Sequence, residues 1–244
     1  MRIFEEIEEL IRSIEPSMAT RPIYLIDAGD YRVDDVPLGT LAYTSYLCDL
    51  QLAKQLSDRG KWFGPGFAAV FFMDRMPSTM RFIAGAALHE FAHWLTFPAR
   101  KIDINDLVGI SEACTYLSEH ANTQDRLSLE DRPDWLRHES NFVRAASHLA
   151  YRAGKKRDDI KPWHLEYSQR YYGLCEVGWM RVLNDELLEL EHVSIRDILD
   201  LNPPKDFQEL NRLLTEWWSL DRQQQELRKT TSNAEGGTPS RDDG

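Results

Sequence analysis

The sequence predicts an α+β fold, mainly helical, in which a small β-sheet leads into a buried helix. Two kinds of observation predict it. Apolar residues recur at three- and four-residue spacing over most of the chain, the signature of helices with one buried face. Two short runs, PIYLIDA (22–28) and GFAAVFFMD (66–74), are instead rich in aromatic and branched residues and closed by Gly, Asp or Pro, as buried strands are. The second run directly precedes a helical stretch that carries the sequence HEFAH at 89–93.

The elements follow in order. In Met1–Pro16, Ile3, Phe4, Ile7, Leu10, Ile11 and Ile14 define an amphipathic helix. Residues 22–28 form a strand, Leu41–Leu56 a helix and 66–74 a second strand. From Ser78, a plausible N-cap, to Phe97 before Pro98 a further helix is expected. More helices are expected over 104–121, 137–154, 162–190 with a break near Gly173, 194–199 and 206–220. Beyond Arg222 the apolar content falls away, so residues 1–220 are read as a single domain and 221–244 as a disordered tail.

Composition narrows the function classes. With 40 acidic against 29 basic residues the formal charge is −11, which repels a phosphate backbone and gives no strong sign of nucleic-acid binding. The three cysteines, Cys48, Cys114 and Cys175, are widely spaced and form no CxxC pair, which argues against a disulfide framework and a thiolate zinc ribbon. The glutamates at positions 5, 6, 8 and 9 interrupt any apolar core a signal peptide needs, and the longest apolar stretch, Phe67–Met73, is far short of the roughly 20 residues that span a bilayer. A cytoplasmic protein without a membrane partner is expected; the oligomeric state is not legible.

HEFAH carries the chemistry. His89 and His93, at i and i+4, share one helix face and can reach a single Zn2+ ion, and Glu90 beside them can take the proton of a metal-bound water. The surrounding residues, among them Ala84, Ala86, Ala87, Leu88, Phe91, Ala92 and Leu95, are small or apolar, so these polar groups are expected to be semi-buried. Zinc lowers the pKa of bound water to around 7, and the resulting hydroxide attacks a polarised carbonyl. The motif in this setting resembles the HExxH zincin metallopeptidases, which implies a zincin-like fold with Glu90 as catalytic base.

A catalytic zinc takes a third protein ligand, and two residues compete for the place. Glu112, with eighteen residues between it and His93, resembles the glutamate that completes the gluzincin site; His138, followed four residues later by Phe142, resembles the third histidine of SprT-like zincins. In a helix over 137–154, His138 shares a side with Phe142, Ala145, Ala146, Leu149 and Ala153 and so faces the core, whereas Glu112 falls opposite the stripe Leu107, Ile110, Cys114 and Leu117. His138 is therefore the preferred ligand and Glu112 the alternative. Asn141, Arg144, His148 and Tyr151 form a polar stripe on the same helix, either donors to an oxyanion or a face that binds neighbouring loops. The cluster RAGKKR at 152–157 reads as a solvated helix terminus. The resulting expectation is a zinc-dependent metallopeptidase acting on a protein or peptide substrate, with a non-catalytic zincin-like binding or regulatory module as the alternative.

Overall fold

The computed structural model describes residues 2–32, 40–44, 50–64, 66–96, 140–161, 180–210 and 212–213. Helix α1 (Arg2–Ile14) buries Ile7, Leu10, Ile11 and Ile14, the inner part of its expected stripe, and gives way to a 3-10 turn at Pro16. Strand β1 (Ile23–Asp27) follows. The expected helix over 41–56 is in fact two elements. Ala42–Thr44 is strand β2, and α2 spans Leu50–Asp58. Tyr43 and Thr44 suit a pleated surface, and pairing with a neighbouring strand outweighs the helical periodicity around them.

Strand β3 (Phe67–Phe71) lies at the centre of a three-stranded sheet of order β1-β3-β2. β1 runs parallel to it, pairing Ile23 with Phe67, and β2 antiparallel, pairing Thr44 with Ala69. All five residues of β3 are buried, the continuous apolar run expected of a strand covered on both faces. On one face Tyr24, Ile26, Ala68 and Val70 pack with Leu52 and Leu56 of α2. On the other, Phe71 meets Phe4 of α1 with ring centroids 5.3 Å apart, and Phe67 meets Phe91 at 4.9 Å and Trp94 at 6.1 Å. Those last two rings belong to α3 (Met80–Thr96), whose first carbonyl acceptor is Thr79 rather than Ser78, so the cap sits one residue later than expected.

Helix α4 (Ser140–Lys156) packs against α3 and α1. Three short segments complete this part of the chain: α5 (Met180–Val182), α6 (Asn184–Glu189) and α7 (Ile195–Leu199). The expected helix over 104–121, residues 162–179 and the tail 221–244 lie outside the described residues, as do Cys48, Cys114 and Cys175. By internal contacts the chain divides into Met1–Pro203 and Pro204–Gly244; in the second, residues 205–210 are helical. Among the described residues no helix is long and apolar enough to cross a membrane.

Of the polar stripe on α4, Arg144 and His148 are buried and hold neighbouring segments, while Asn141 is exposed and Tyr151 half-buried. Arg144, 1% exposed, forms a bidentate pair with Glu186, Nε to Oε1 at 2.9 Å and Nη2 to Oε2 at 2.8 Å, and donates from Nη1 to the Leu201 carbonyl at 2.8 Å. One turn on, His148 Nε2 lies 2.9 Å from Glu186 Oε1. A further turn on, Arg152 donates to the carbonyls of Ile14, Leu190 and Val193. It also lies 3.7 Å from the buried carboxylate of Glu15, which accepts in turn from Ser17, the Ser194 hydroxyl and the Ile195 N–H. The basic cluster 152–157 at the end of α4 divides: Arg152 is buried, whereas Lys155 and Lys156 are exposed as a solvated helix terminus, with Lys155 paired to Glu191 and the half-buried Arg157 to Asp159 and Glu6.

Two predictions follow from this packing. A Cβ built on Gly66 would meet the Pro22 carbonyl oxygen at 2.1 Å, just where Phe67 N–H bonds to that oxygen to start the β1–β3 ladder. Gly66→Ala should therefore lower stability by about 2 kcal/mol or more in urea unfolding. Glu186→Ala should lower it by about 3–5 kcal/mol, because it leaves the Arg144 guanidinium buried and unpaired, whereas the double change Arg144→Leu with Glu186→Leu should lose much less.

Candidate functional site

The site expected at HEFAH falls where α3, β2 and α4 meet. α3 is buried on every side over residues 83–92, where Ala84, Gly85, Ala86 and Ala87 supply a run of small side chains. Its polar residues are therefore held in an apolar setting: His89 is 7% exposed and Glu90 8%, while His93 is half-buried.

Glu90 is anchored by Thr44 of β2. Thr44 Oγ1 lies 2.7 Å from the Glu90 carbonyl oxygen and 2.8 Å from Glu90 Oε2. A hydroxyl has one proton to donate, so with Glu90 ionised it serves only one of these acceptors at a time. With Glu90 protonated, the carboxyl donates to Thr44 Oγ1 while Thr44 donates onward to the carbonyl, and both contacts are satisfied. Burial raises the Glu90 pKa to about 7, and the hydrogen bonds from Thr44 oppose that rise without cancelling it.

The two imidazoles pack against each other and against an apolar ring. His89 and His93 stand edge-on with centroids 5.0 Å apart, and Phe142 of α4 lies 5.0 Å from the first and 4.4 Å from the second. Of the stripe expected on this helix, Phe142, Ala145, Leu149 and Ala153 are buried and Ala146 is half-buried. His138 and Glu112, the two candidates for a third ligand, lie outside the described residues.

Arg144 and His148 Nε2 spend their hydrogen bonds away from HEFAH. Arg144 is committed to Glu186 and Leu201, and burial pushes the His148 imidazole below its ordinary pKa against the pull of Glu186. Burial alone would raise the Glu186 carboxyl, but the hydrogen bonds from His148 and Arg144 outweigh it and hold the carboxyl below its usual value. The stripe binds neighbouring segments, and the oxyanion role is not supported. His192 is exposed.

Sequence reasoning missed Thr44, because a helix was expected there; the adjacent aromatic and β-branched residues Tyr43 and Thr44 were the available signal. It also missed Glu186, which lies one turn from Leu183 and beside Leu187 on a buried face, where an acidic residue requires a partner.

No family model matches the chain, and neither a curated protein nor a solved structure does. Among the described residues, no group of three or more His, Cys, Asp or Glu side chains is placed to hold a metal ion. These findings overturn the zinc reading. The resemblance of HEFAH to the HExxH zincins, in its SprT-like or its gluzincin form, is not carried by any match, and neither the catalytic nor the non-catalytic zincin-like expectation stands. The Zn2+ cofactor and the zinc-dependent metallopeptidase are withdrawn with it. One physical reason lies in the packing: the Phe142 ring, which has no donor atom for a metal, lies against both His89 and His93.

The raised pKa of Glu90 has a measurable consequence. The folded protein keeps a proton that the unfolded chain releases near pH 4.5, so this group favours the folded state fully below that pH. That contribution is lost as pH rises toward 7, by about 3 kcal/mol over the interval. In urea unfolding at pH 5 and pH 8, Glu90→Gln should remove most of this slope and be the more stable form at pH 8. Thr44→Val should raise the Glu90 pKa further.

Proposed function

We propose that the meeting point of α3, β2 and α4 is an acid–base site built from side chains alone, in which Glu90, held by Thr44, gives a proton to or takes one from a carbonyl-bearing ligand. One observation carries the reading: a single hydroxyl placed between the Glu90 carbonyl and carboxyl oxygens, in a buried setting that has room for one more proton. A group poised near the ambient pH is the effective proton carrier, which supports this role for a carboxyl raised to about 7. His89 and His93 stand on the same helix, and Phe142 packs on both imidazoles. The ligand we favour is a protein or peptide, met in the cytoplasm, and the working unit is the single domain over 1–220 with 221–244 as a tail.

An infrared titration tests the proton directly. A protonated-carboxyl band should be present at pH 6, disappear with a midpoint near 7, and be absent from Glu90→Gln. Blocked peptides added in the presence of a chelator should shift the ring protons of His89 and His93 in the wild type and not in Glu90→Ala. A midpoint in the ordinary carboxylate range near pH 4.3, or ring shifts that appear only after a divalent metal is added, would overturn the proposal.

A further inference from the structure

The sheet has a second place where chemistry is left open, at the edge opposite Glu90. Thr44 and Glu90 sit at the β2 edge, and β1 forms the other edge of the described sheet. The Pro22 carbonyl accepts from Phe67 N–H, so with the parallel register the backbone groups of Tyr24 and Ile26 turn toward β3. Those of Arg21, Ile23, Leu25 and Asp27 turn outward. The Arg21 carbonyl is capped by Arg12 Nη1 of α1 at 2.9 Å. From Ile23 to Asp27 no backbone hydrogen bond closes the outer side among the described residues, and such an edge is a template for another strand.

A groove of about 530 Å³ runs along this edge, with residues 20–26 as its floor. Phe4, Glu8 and Arg12 of α1 line one side, and Tyr31, Lys61 and Phe63 belong to its rim. Phe63 is 77% exposed, yet its backbone is fixed, since its N–H donates to the Tyr24 hydroxyl at 2.9 Å and that hydroxyl donates to the Gly64 carbonyl at 2.7 Å. An apolar ring is thus presented to solvent from an anchored position. The groove carries three basic residues against two acidic ones, Glu5 and Glu8. Glu8 is paired with Arg12 at 2.8 Å, whereas Arg21 and Lys61 form no ion pair among the described residues.

We propose that the open edge of β1 and the groove beside it dock an extended polypeptide segment from a partner, which adds a strand outside β1 and sets an acidic side chain against Arg21 and Lys61. Main-chain hydrogen bonds supply the affinity in this mode, and the pockets beside alternate residues supply the selectivity. A second copy of this chain is the poorer occupant, because two chains that each carry −11 repel one another. The site is independent of Glu90.

The test uses the full chain and blocked hexapeptides of alternating Thr and Val with one central Asp, compared with the same peptide carrying Lys. Amide hydrogen exchange should be fast at Ile23, Leu25 and Asp27 in the free protein and slow with the Asp peptide. The Lys peptide should bind roughly tenfold more weakly, and Arg21→Glu combined with Lys61→Glu should reverse the preference. Leu25→Pro should abolish binding, because it removes an outward donor while leaving the β1–β3 hydrogen bonds, and edge strands tolerate Pro at such a position. The double charge reversal keeps the test decisive if that variant does not fold. Failure of every peptide to protect these amides, equal binding of the Asp and Lys peptides, or protection that rises with protein concentration alone would overturn the proposal.

Discussion

The buried ladder of Arg144, His148 and Arg152 is the constraint on which the architecture rests. A charged side chain taken out of water is tolerated only where its partners are supplied with good geometry. Here the partners come from far along the chain: Glu186 and the carbonyls of Leu190, Val193 and Leu201 on one side, the Ile14 carbonyl and Glu15 on the other. One helix therefore fixes the end of α1 and the segment from α6 through α7. Because α4 also packs on α3, the same ladder sets the position of Phe142 against His89 and His93.

Most of the element order was legible in the sequence wherever one face of an element repeats. The stripe Ile7, Leu10, Ile11 and Ile14 declared itself because burying one helix face demands apolar residues at a fixed period, and Phe67–Phe71 because burying both faces of a strand demands a continuous apolar run. Ala42–Thr44 did not, because three residues are too few to display a period of two, and their pairing is with β3 more than twenty residues away. The polar stripe of α4 was visible as a pattern, but its surroundings were not. An arginine that faces solvent and one that meets Glu186 across 42 residues look the same in a sequence.

HEFAH illustrates the same limit at the site. Spacing at i and i+4 reports that two imidazoles share a face, and it reports nothing about the third body they meet. In the structure a phenylalanine ring packs on both imidazoles, and the neighbouring carboxylate meets a threonine hydroxyl. The part that was legible, semi-burial of His89 and Glu90 among small and apolar residues, is also what shifts the Glu90 proton affinity. Burial thus preserves an interest in Glu90 that does not depend on the zinc reading.

Glu15 also bears on the order of events during synthesis. Its carboxylate is closed off by Ser194 and by the Ile195 N–H, 179 and 180 positions further along the chain. As a ribosome extends the polypeptide from its N-terminus, α1 can be made early, but its C-terminal end has no complete set of partners until α7 has emerged. Contacts this distant in sequence carry a large loop-closure entropy and form late. The C-terminal end of α1 is thus locked in place only after α7 has been made, and a nascent chain that halts before Ser194 exposes an acidic group that the folded protein buries completely.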